Sequence, residues 1–307
     1  MNQKFNLIIK LGRFHFLAGG FFLYTMGVFL AIASGVKFSF LYFLFGYAIM
    51  APAHLSLSYS NNYFDANADR FNKPNPISGG SKVLIENPEL KPLCRNIAIG
   101  LIIISILFAF IFVILFAFPL TFLVFIIFGN LLGWFYTAPP IKLAYRGLGE
   151  IANMINMGLL MPGIGYWTMG GNLDIFFLVF MIAFLLYGLC FILIVEYPDM
   201  EGDIKAKKKT LVSKIGRKKS YKIIIISFFS ITIYFLLISY LKLYDNIVNF
   251  IIIYFLSLIP LYTSLYGWFK KPFSKKKAKK ISQNNMLALT FFILTINLYL
   301  IILNFVI

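Results

Sequence analysis

Long apolar runs recur along almost the whole chain and constrain its fold more than any other feature. Soluble domains carry roughly 25% charged residues, whereas this chain is 60% hydrophobic and 13% charged. Nine runs are each about long enough to cross a hydrocarbon core of ~30 Å. They cover residues 14–34, 39–59, 96–117, 119–138, 149–168, 175–195, 221–241, 246–268 and 285–306. The pattern predicts an all-α polytopic membrane protein with nine transmembrane helices.

Basic residues lie almost entirely on one side of the predicted membrane. The N-terminus and the loops after each even-numbered span carry all but two of the 28 lysines and arginines, the exceptions being Lys37 and Lys242. Because positively charged loops stay in the cytoplasm, we expect a cytoplasmic N-terminus and a C-terminus outside. The net charge of +17 is then a topology signal and an attraction to anionic lipid headgroups. It requires no nucleic-acid partner.

Cysteine and histidine offer little chemistry in this sequence. Cys94 and Cys190 are far apart and lack CxxC spacing, which argues against a disulfide framework or a thiolate metal site. His15 and His54 stand in apolar surroundings. We expect them to pack or to line a helix rather than to bind a metal. The first apolar run lacks a clear small-residue cleavage site and is interpreted as a retained span.

Acidic residues concentrate at the predicted cytoplasmic ends of the second and sixth spans. Asn61, Asp65 and Asp69 recur every four residues, which keeps their side chains on one side of a helix with a drift of about 40° per step. Asp199 and Asp203 repeat the spacing. A row of such oxygen ligands suits Mg²⁺, which completes its coordination shell with water and phosphate oxygens.

The two acidic clusters lie four spans apart and suggest an internal duplication. The halves would be about 1–145 and 146–307, within a single transmembrane domain over 1–307. The match is incomplete, because Val195 stands at the position of the first cluster's asparagine. Glu196, one residue later, offers a substitute.

Two opposed aspartate pairs at the mouth of a helical bundle can hold two or three Mg²⁺ ions, which bind a diphosphate and make it a leaving group. Nearby basic residues that could share its charge are Arg70, Lys73, Lys142, Arg146 and Lys205–Lys209. An apolar cavity in the bundle would house a hydrocarbon tail. Aromatic side chains, 19% of the chain, could stabilise an allylic cation, although most are expected to face lipid or form interface belts.

Two other classes of protein fit parts of the pattern. A secondary transporter would place polar groups near the bilayer midplane, often in broken helices, whereas these acids lie at the predicted ends of spans. A lipid-binding scaffold would explain the basic loops but not the spaced aspartate pairs. An enzyme acting on a membrane-bound diphosphate accounts for both features.

Three separated segments resemble the UbiA superfamily of intramembrane prenyltransferases. The first is the N-x3-D-x3-D pattern of 61–69, although Asn62 stands where many members have aspartate. The second is the acidic stretch 196–203 with the basic tail IKAKKKTLVSKIG. The third is YTAPPIKLAYRGLGE at 136–150. The three occur in the family's order, and the count of nine spans also agrees with the family.

The resemblance implies a helical bundle around a central cavity and Mg²⁺-dependent transfer of a polyprenyl group from its diphosphate to an acceptor. It implies that the catalytic, metal-binding carboxylates are Asp65, Asp69, Asp199 and Asp203. Asn61 would be a further metal ligand and substrate contact. The other implied substrate contacts are Arg70, Lys73, Tyr136, Lys142, Tyr145, Arg146 and Lys209. Glu196 departs from the common aspartate, so its part in metal binding stays open, and Glu150 receives no role.

Within the superfamily, PNPISGGSKVL at 74–84 is similar to members related to 1,4-dihydroxy-2-naphthoate polyprenyltransferase, the menaquinone branch. It lacks the NRPxRPIPSG-like motif of the branch that acts on glyceryl phosphate ether lipids. The expected acceptor is an aromatic quinone precursor, and a non-aromatic lipid is the alternative.

Glycines in the stretch 74–84 would let Ser78 to Lys82 close over the substrate as a lid. We expect a multi-pass protein of the cell membrane, with active-site loops facing the cytoplasm and no obligatory protein partner.

Overall fold

The computed structural model describes residues 2–72, 77–78, 80–170, 172–271 and 273–306, and within these ranges the chain is helical without strands. The described α-helices are α1 Asn2–Gly12, α2 His15–Ala33, α3 Phe40–Asp65, α4 Val83–Glu86, α5 Lys91–Leu115, α6 Leu120–Trp134, α7 Leu143–Arg146, α8 Gly149–Ile155, α9 Met161–Gly170, α10 Ile175–Glu196, α11 Met200–Lys205, α12 Leu211–Tyr240, α13 Phe250–Phe269 and α14 Lys275–Phe305. Two 3₁₀ turns, Ala68–Phe71 and Pro88–Leu90, and a π-helical turn, Asn156–Leu160, lie between them.

Seven helical stretches in the described ranges are long and apolar enough to cross a membrane. They are Lys4–Ala33, Phe40–Asp65, Pro88–Leu115, Ile175–Glu196, Leu211–Tyr240, Phe250–Phe269 and Lys275–Phe305. Large apolar side chains such as Ile175, Tyr262 and Phe269 are more than two-thirds exposed, as expected for surfaces that face lipid rather than water. The chain is therefore an integral membrane protein.

The other two predicted spans have different structures. The fourth corresponds to α6, whose 15 residues reach roughly 22 Å at the rise of an α-helix, short of a full hydrocarbon core. The fifth corresponds to α8 and α9 with the π-helical turn between them. The count of nine crossings and the cytoplasmic N-terminus stay predictions, as does the internal duplication.

The first and last spanning helices pack together and close the bundle. Helix α2 packs on α3, α9 and α14. Between α2 and α14, Thr25 Oγ1 donates to Asn297 Oδ1 at 2.8 Å, and Asn297 Nδ2 donates to the Phe22 carbonyl at 2.9 Å. Such interhelical hydrogen bonds stabilise helix pairs in a bilayer by about 1 kcal/mol or less each.

Two helices of the bundle deliver the acidic segments to the same end. Helix α3 is capped at its start by the Ser39 side chain and ends at Asp65. Helix α10 is capped by Asp174 and ends at Glu196. The chain then continues into the Ala68–Phe71 turn after α3 and into α11 after α10, and these two short elements pack against each other. The two acidic segments therefore meet in space.

Candidate active site

A cavity of about 190 Å³ lies where α3 and α10 end. All four aspartates of the predicted metal set line it, together with Asn61 and Tyr136. Apolar side chains, including Leu57, Met157 and Phe191, form another part of its wall. Asn61 Oδ1 already accepts a hydrogen bond from Thr137 Oγ1 at 2.9 Å. The structure thus brings together residues that the sequence places about 130 positions apart.

Two side chains hold the Asp65 carboxylate in place. It is buried, and it accepts hydrogen bonds from Tyr145 Oη at 2.7 Å and from Lys208 Nζ at 2.8 Å. Burial alone would lower the pKa of Lys208, but the charges of Asp65 and Asp203 outweigh it and raise that pKa well above its ordinary value. Lys208 is therefore a charged lysine shared between the two acidic segments.

The remaining carboxylates gather more negative charge than this lysine offsets. Burial and the neighbouring Asp65 raise the pKa of Asp69 to about 7. Burial likewise raises the pKa of Asp203 to about 6, against the opposing effect of Lys208. Asn72 Nδ2 donates to Asp203 Oδ1 at 3.4 Å. Raised carboxylate pKa values of this kind mark a site that a further cation would stabilise.

Two buried glutamates lie beside the aspartates. Glu150 Oε1 accepts a hydrogen bond from the Leu211 backbone amide, which anchors the start of α12. Glu196 lines the cavity, and its Oε2 atom has no hydrogen-bond partner within the described ranges. A buried carboxylate oxygen without a partner is costly. It is thus available to a metal ion, to a metal-bound water or to a substrate proton.

The donor set fits Mg²⁺ in kind, because carboxylate oxygens from four aspartates and one glutamate line the cavity. Within the described ranges, however, no three carboxylate, imidazole or thiol groups already converge on one metal position. Magnesium usually takes only one or two protein carboxylates and completes its shell with water and phosphate oxygens. The arrangement therefore suits an ion that arrives with a diphosphate rather than a preformed protein cage.

A short stretch that follows the first acidic segment, around Ser78 to Ser81, lies over the carboxylates. Ser78 Oγ donates to Asp199 Oδ1 at 3.1 Å, and Ser81 Oγ donates to Asn62 Oδ1 at 2.5 Å. Gly80 has a φ of +61°, and a Cβ at this position would overlap the Asp69 carboxylate. Gly79 and part of 74–84 lie outside the described residues. The described part of the expected lid lies over the acidic groups, and its motion stays a prediction.

Several predicted substrate contacts lie away from the cavity. Arg70, Lys142, Arg146 and Lys209 are exposed and do not line it. Lys142 Nζ lies 5.7 Å from the centroid of the Tyr145 ring, and Arg146 Nη2 donates to the Pro140 carbonyl at 2.9 Å. Lys73 lies outside the described residues. The roles of these basic residues in diphosphate binding stay predictions.

Two basic residues line the cavity, Lys208 and Arg13. Sequence reasoning named Lys208 only as one of the run Lys205–Lys209, and it missed Arg13 as a site residue. Lys208 belongs to the run predicted to be near the diphosphate, but the run itself does not show which lysine turns inward. Arg13 lies between α1 and α2, with its guanidinium carbon 4.5 Å from the centroid of the Phe16 ring. The sequence signal that could have identified Arg13 as a site residue is its position at the predicted cytoplasmic end of the first span.

The fold and the cavity together define a class of protein: a helical membrane protein with an acidic site, suited to binding a cation, at one end of its bundle. Comparison with family models identifies the UbiA prenyltransferase family over residues 21–296. The chain belongs to this family, and the expected enzyme class, a prenyltransferase, is confirmed. A search of curated proteins returns no match.

Solved structures share the fold at low sequence identity. The UbiA homolog from Archaeoglobus fulgidus bound to GPP and Mg²⁺ is 16% identical over 93% of this chain and 99% of its own, with a TM-score of 0.63. The apo UbiA homolog from Aeropyrum pernix K1 is 13% identical over 90% and 95%, with a TM-score of 0.68. A digeranylgeranylglyceryl phosphate synthase is 18% identical over 97% and 99%, with a TM-score of 0.66. These likenesses extend over nearly the whole bundle.

Proposed function

We propose that this enzyme transfers a polyprenyl group from polyprenyl diphosphate to an aromatic quinone precursor such as 1,4-dihydroxy-2-naphthoate, within the membrane, and releases diphosphate. One observation carries the proposal. Asp65 and Asp69 from one acidic segment line the same cavity as Asp199 and Asp203 from the other, with the partly buried Lys208 beside them.

The residues that would hold Mg²⁺ are the four aspartates with Asn61, and Glu196 offers a further oxygen. When bound, the ion would neutralise the diphosphate and make it a better leaving group. The A. fulgidus homolog was solved with GPP and Mg²⁺ and, separately, with DMAPP and Mg²⁺. Those structures support a prenyl diphosphate and this metal as the ligands of the present site.

The chain's own residues would stabilise charge and keep water out. Lys208 and Arg13 would face the diphosphate as its bond to the allylic carbon breaks, while the Tyr145 hydroxyl would hold Asp65 in place. The apolar wall would hold the hydrocarbon tail and exclude water, which would otherwise capture the allylic cation. An electron-rich ring carbon of the acceptor then attacks, and the ring proton passes to the released diphosphate or to a carboxylate of the site.

The aromatic acceptor rests on the resemblance of 74–84 to the menaquinone branch. A non-aromatic lipid acceptor is the alternative, and a membrane transporter is the alternative of another class. The strong bias of basic residues supports an orientation with the site's loops on the cytoplasmic side.

The test uses membranes that contain the full chain, prenyl diphosphates of several lengths, and either 1,4-dihydroxy-2-naphthoate or a glyceryl phosphate ether lipid. Products are identified by mass. We expect a prenylated naphthoate, loss of product with EDTA, and recovery with Mg²⁺. Asp65→Asn and Asp199→Asn should each reduce transfer by about 100-fold or more, whereas Asp245→Asn, at an exposed aspartate, should not.

Three outcomes would contradict the proposal in different ways. Normal Mg²⁺-dependent transfer by both aspartate variants would exclude the site. A product formed only with the ether lipid would replace the aromatic acceptor. Substrate movement across liposome membranes without any prenyl transfer would favour a transporter.

A further inference from the structure

A second, smaller cavity of about 50 Å³ shares a wall with the first. Apolar residues of α3, α6 and α9 form most of its lining, including Met50, Phe125 and Ile164. Two of the three residues that line both cavities are polar: His54 and Asn156 accompany Leu57. The two cavities therefore meet at a polar junction inside the bundle.

Hydrogen-bonding capacity is left unused around this junction. His54 Nδ1 and Asn130 Oδ1 are both buried without a partner in the described part of the chain. Asn130 lines the second cavity. Its amide donates from Nδ2 to Ser105 Oγ at 3.1 Å and to the Ile126 carbonyl at 2.9 Å. These bonds orient the side chain and leave Oδ1 as an unused acceptor, so a ligand that fits here must offer a donor.

The His54 ring is held against the backbone of α2. A Cβ at Gly20 would collide with His54 Nδ1 and Cε1, so this edge of the imidazole lies directly on the helix. Because Nδ1 has no hydrogen-bond partner among the described residues, we assign the ring proton to Nε2. His54 lines both cavities, so this N–H is the donor that it offers to a ligand.

His54 also lies on the catalytic face of its helix. Asn61 and Asp65 follow it by seven and eleven residues, spacings that return to within about 20° of the same direction. The rise of an α-helix puts His54 ~16 Å from Asp65 along α3. The oxygen substituents of 1,4-dihydroxy-2-naphthoate flank its reacting carbon on the same ring. A ring held between Asp65 and His54 would therefore direct that carbon toward the diphosphate and one flanking oxygen toward the junction.

We propose that this junction and the adjoining second cavity, which Asn130 lines, bind oxygen substituents of the aromatic acceptor. His54 Nε2–H donates to one ligand oxygen, and a ligand hydroxyl donates to Asn130 Oδ1. The inference rests on the proposed function and identifies the residues that select its acceptor. A prenyl tail is pure hydrocarbon and satisfies neither group, whereas 1,4-dihydroxy-2-naphthoate carries both a hydroxyl donor and oxygen acceptors.

The experiment measures KM separately for 1,4-dihydroxy-2-naphthoate and for the prenyl diphosphate. Asn130→Leu and His54→Leu should each raise the KM for the naphthoate about tenfold, the effect of losing one good hydrogen bond. The KM for prenyl diphosphate should stay within about twofold. His54→Gln retains a donor and should recover most of the affinity for the naphthoate, which a purely packing role would not explain.

The chain offers a closely matched control in Asn285→Leu. Asn285 is buried, its Oδ1 also lacks a partner within the described ranges, and its amide donates to Tyr221 Oη at 3.1 Å and to the Ile281 carbonyl at 2.9 Å. It lines neither cavity. We expect Asn285→Leu to leave both KM values unchanged, so any general effect of removing a buried amide is accounted for.

For any variant that is too inactive for a KM measurement, equilibrium binding of radiolabelled 1,4-dihydroxy-2-naphthoate measures its affinity for the acceptor directly. An unchanged naphthoate KM in active Asn130→Leu and His54→Leu would overturn the inference and would indicate that only water occupies the junction. A parallel rise in both KM values would do the same. If the wild-type enzyme transfers a prenyl group only to a lipid, the aromatic subsite fails while prenyl transfer stands. If the wild-type enzyme transfers a prenyl group to no acceptor, both the proposed function and the proposed acceptor subsite are wrong.

Discussion

Lys208 Nζ lies 2.8 Å from Asp65 Oδ2, and this ion pair joins two residues that are 143 positions apart in the chain. The side chains of this ion pair are only 17% and 8% exposed. Lys208 Nζ also lies 5.6 Å from the centroid of the Tyr145 ring. The Lys208 ammonium is partly buried and offsets the negative charge of carboxylates from both segments. Because Lys208 lines the cavity, the same positive charge could also stabilise a bound diphosphate.

Replacing this lysine should therefore impair the enzyme severely. We expect Lys208→Gln to reduce kcat/KM for prenyl diphosphate by about 100-fold, because the cavity loses the positive charge of Lys208 while the carboxylates remain. Steady-state transfer assays in membranes at saturating Mg²⁺ measure the effect. Lys219→Gln, at an exposed lysine of α12, controls for the loss of a basic charge on this side of the protein.

The same assay separates the two neighbouring lysines. Lys209 is the residue predicted from sequence, yet it is exposed and lies outside the cavity lining. The structure leads us to expect a smaller effect from Lys209→Gln than from Lys208→Gln. The reverse order would mean that the loop after α11 rearranges when substrate binds.

Tyr145 contributes a single hydrogen bond that can be removed with little change in shape. Its hydroxyl donates to Asp65 Oδ1 at 2.7 Å, so it fixes the carboxylate opposite Lys208. We expect Tyr145→Phe to reduce transfer about tenfold, the effect of one hydrogen bond to a charged group. Tyr262→Phe, at a tyrosine that is 71% exposed, should have wild-type activity. Equal activity of both variants would show that Lys208 alone positions Asp65.

Much of this architecture could be predicted from sequence because lipid leaves a chain few choices. A backbone in hydrocarbon must satisfy its own hydrogen bonds, so apolar runs become helices, and seven of the nine predicted runs correspond to long spanning helices. The aspartate spacing predicted a shared helix face, but α3 ends at Asp65 and Asp69 lies in the following 3₁₀ turn, Ala68–Phe71. The four predicted aspartates nevertheless line one cavity, and their role in metal binding stays a prediction.

Several other residues of the cavity were not singled out from the sequence, because the features that place them there leave no periodic pattern in it. Nothing in the run KAKKK shows which lysine turns inward, since the chain leaves α11 at Lys205 and Lys207 has a positive φ of 56°. The π-helical turn that presents Asn156 has no sequence signature of its own. Arg13 is separated from the acidic segments by whole helices, and only their packing brings it to the same cavity.

Gly80 provides a test of the segment that crosses the carboxylates. Alanine there would have to adopt a φ of +61° and would meet the Asp69 carboxylate. The backbone strain alone costs about 1–2 kcal/mol, and the displaced carboxylate should weaken metal binding. We expect Gly80→Ala to need at least about tenfold more Mg²⁺ for half-maximal transfer, measured by magnesium titration. Gly100→Ala, where a Cβ meets nothing within 4 Å, should titrate like the wild type.

The position of the second acidic segment depends on a buried arginine of α12. Arg217 pairs through both terminal nitrogens with Glu201 and donates from Nε to the Tyr197 carbonyl at 3.0 Å. The hydrogen bonds from Arg217 hold the pKa of Glu201 below its ordinary value. These contacts tie α11, and with it Asp203, to the long helix α12.

Lysine cannot reproduce this set of contacts, because it lacks the planar fork that bonds a carboxylate and two carbonyls at once. We expect Arg217→Lys to lower the free energy of unfolding by about 1–3 kcal/mol and to raise the Mg²⁺ requirement for transfer. Thermal unfolding in detergent and magnesium titration measure the two effects, with Arg95→Lys at an exposed arginine as the control. A destabilised variant with an unchanged Mg²⁺ requirement would mean that Arg217 supports the fold without positioning the acidic segment.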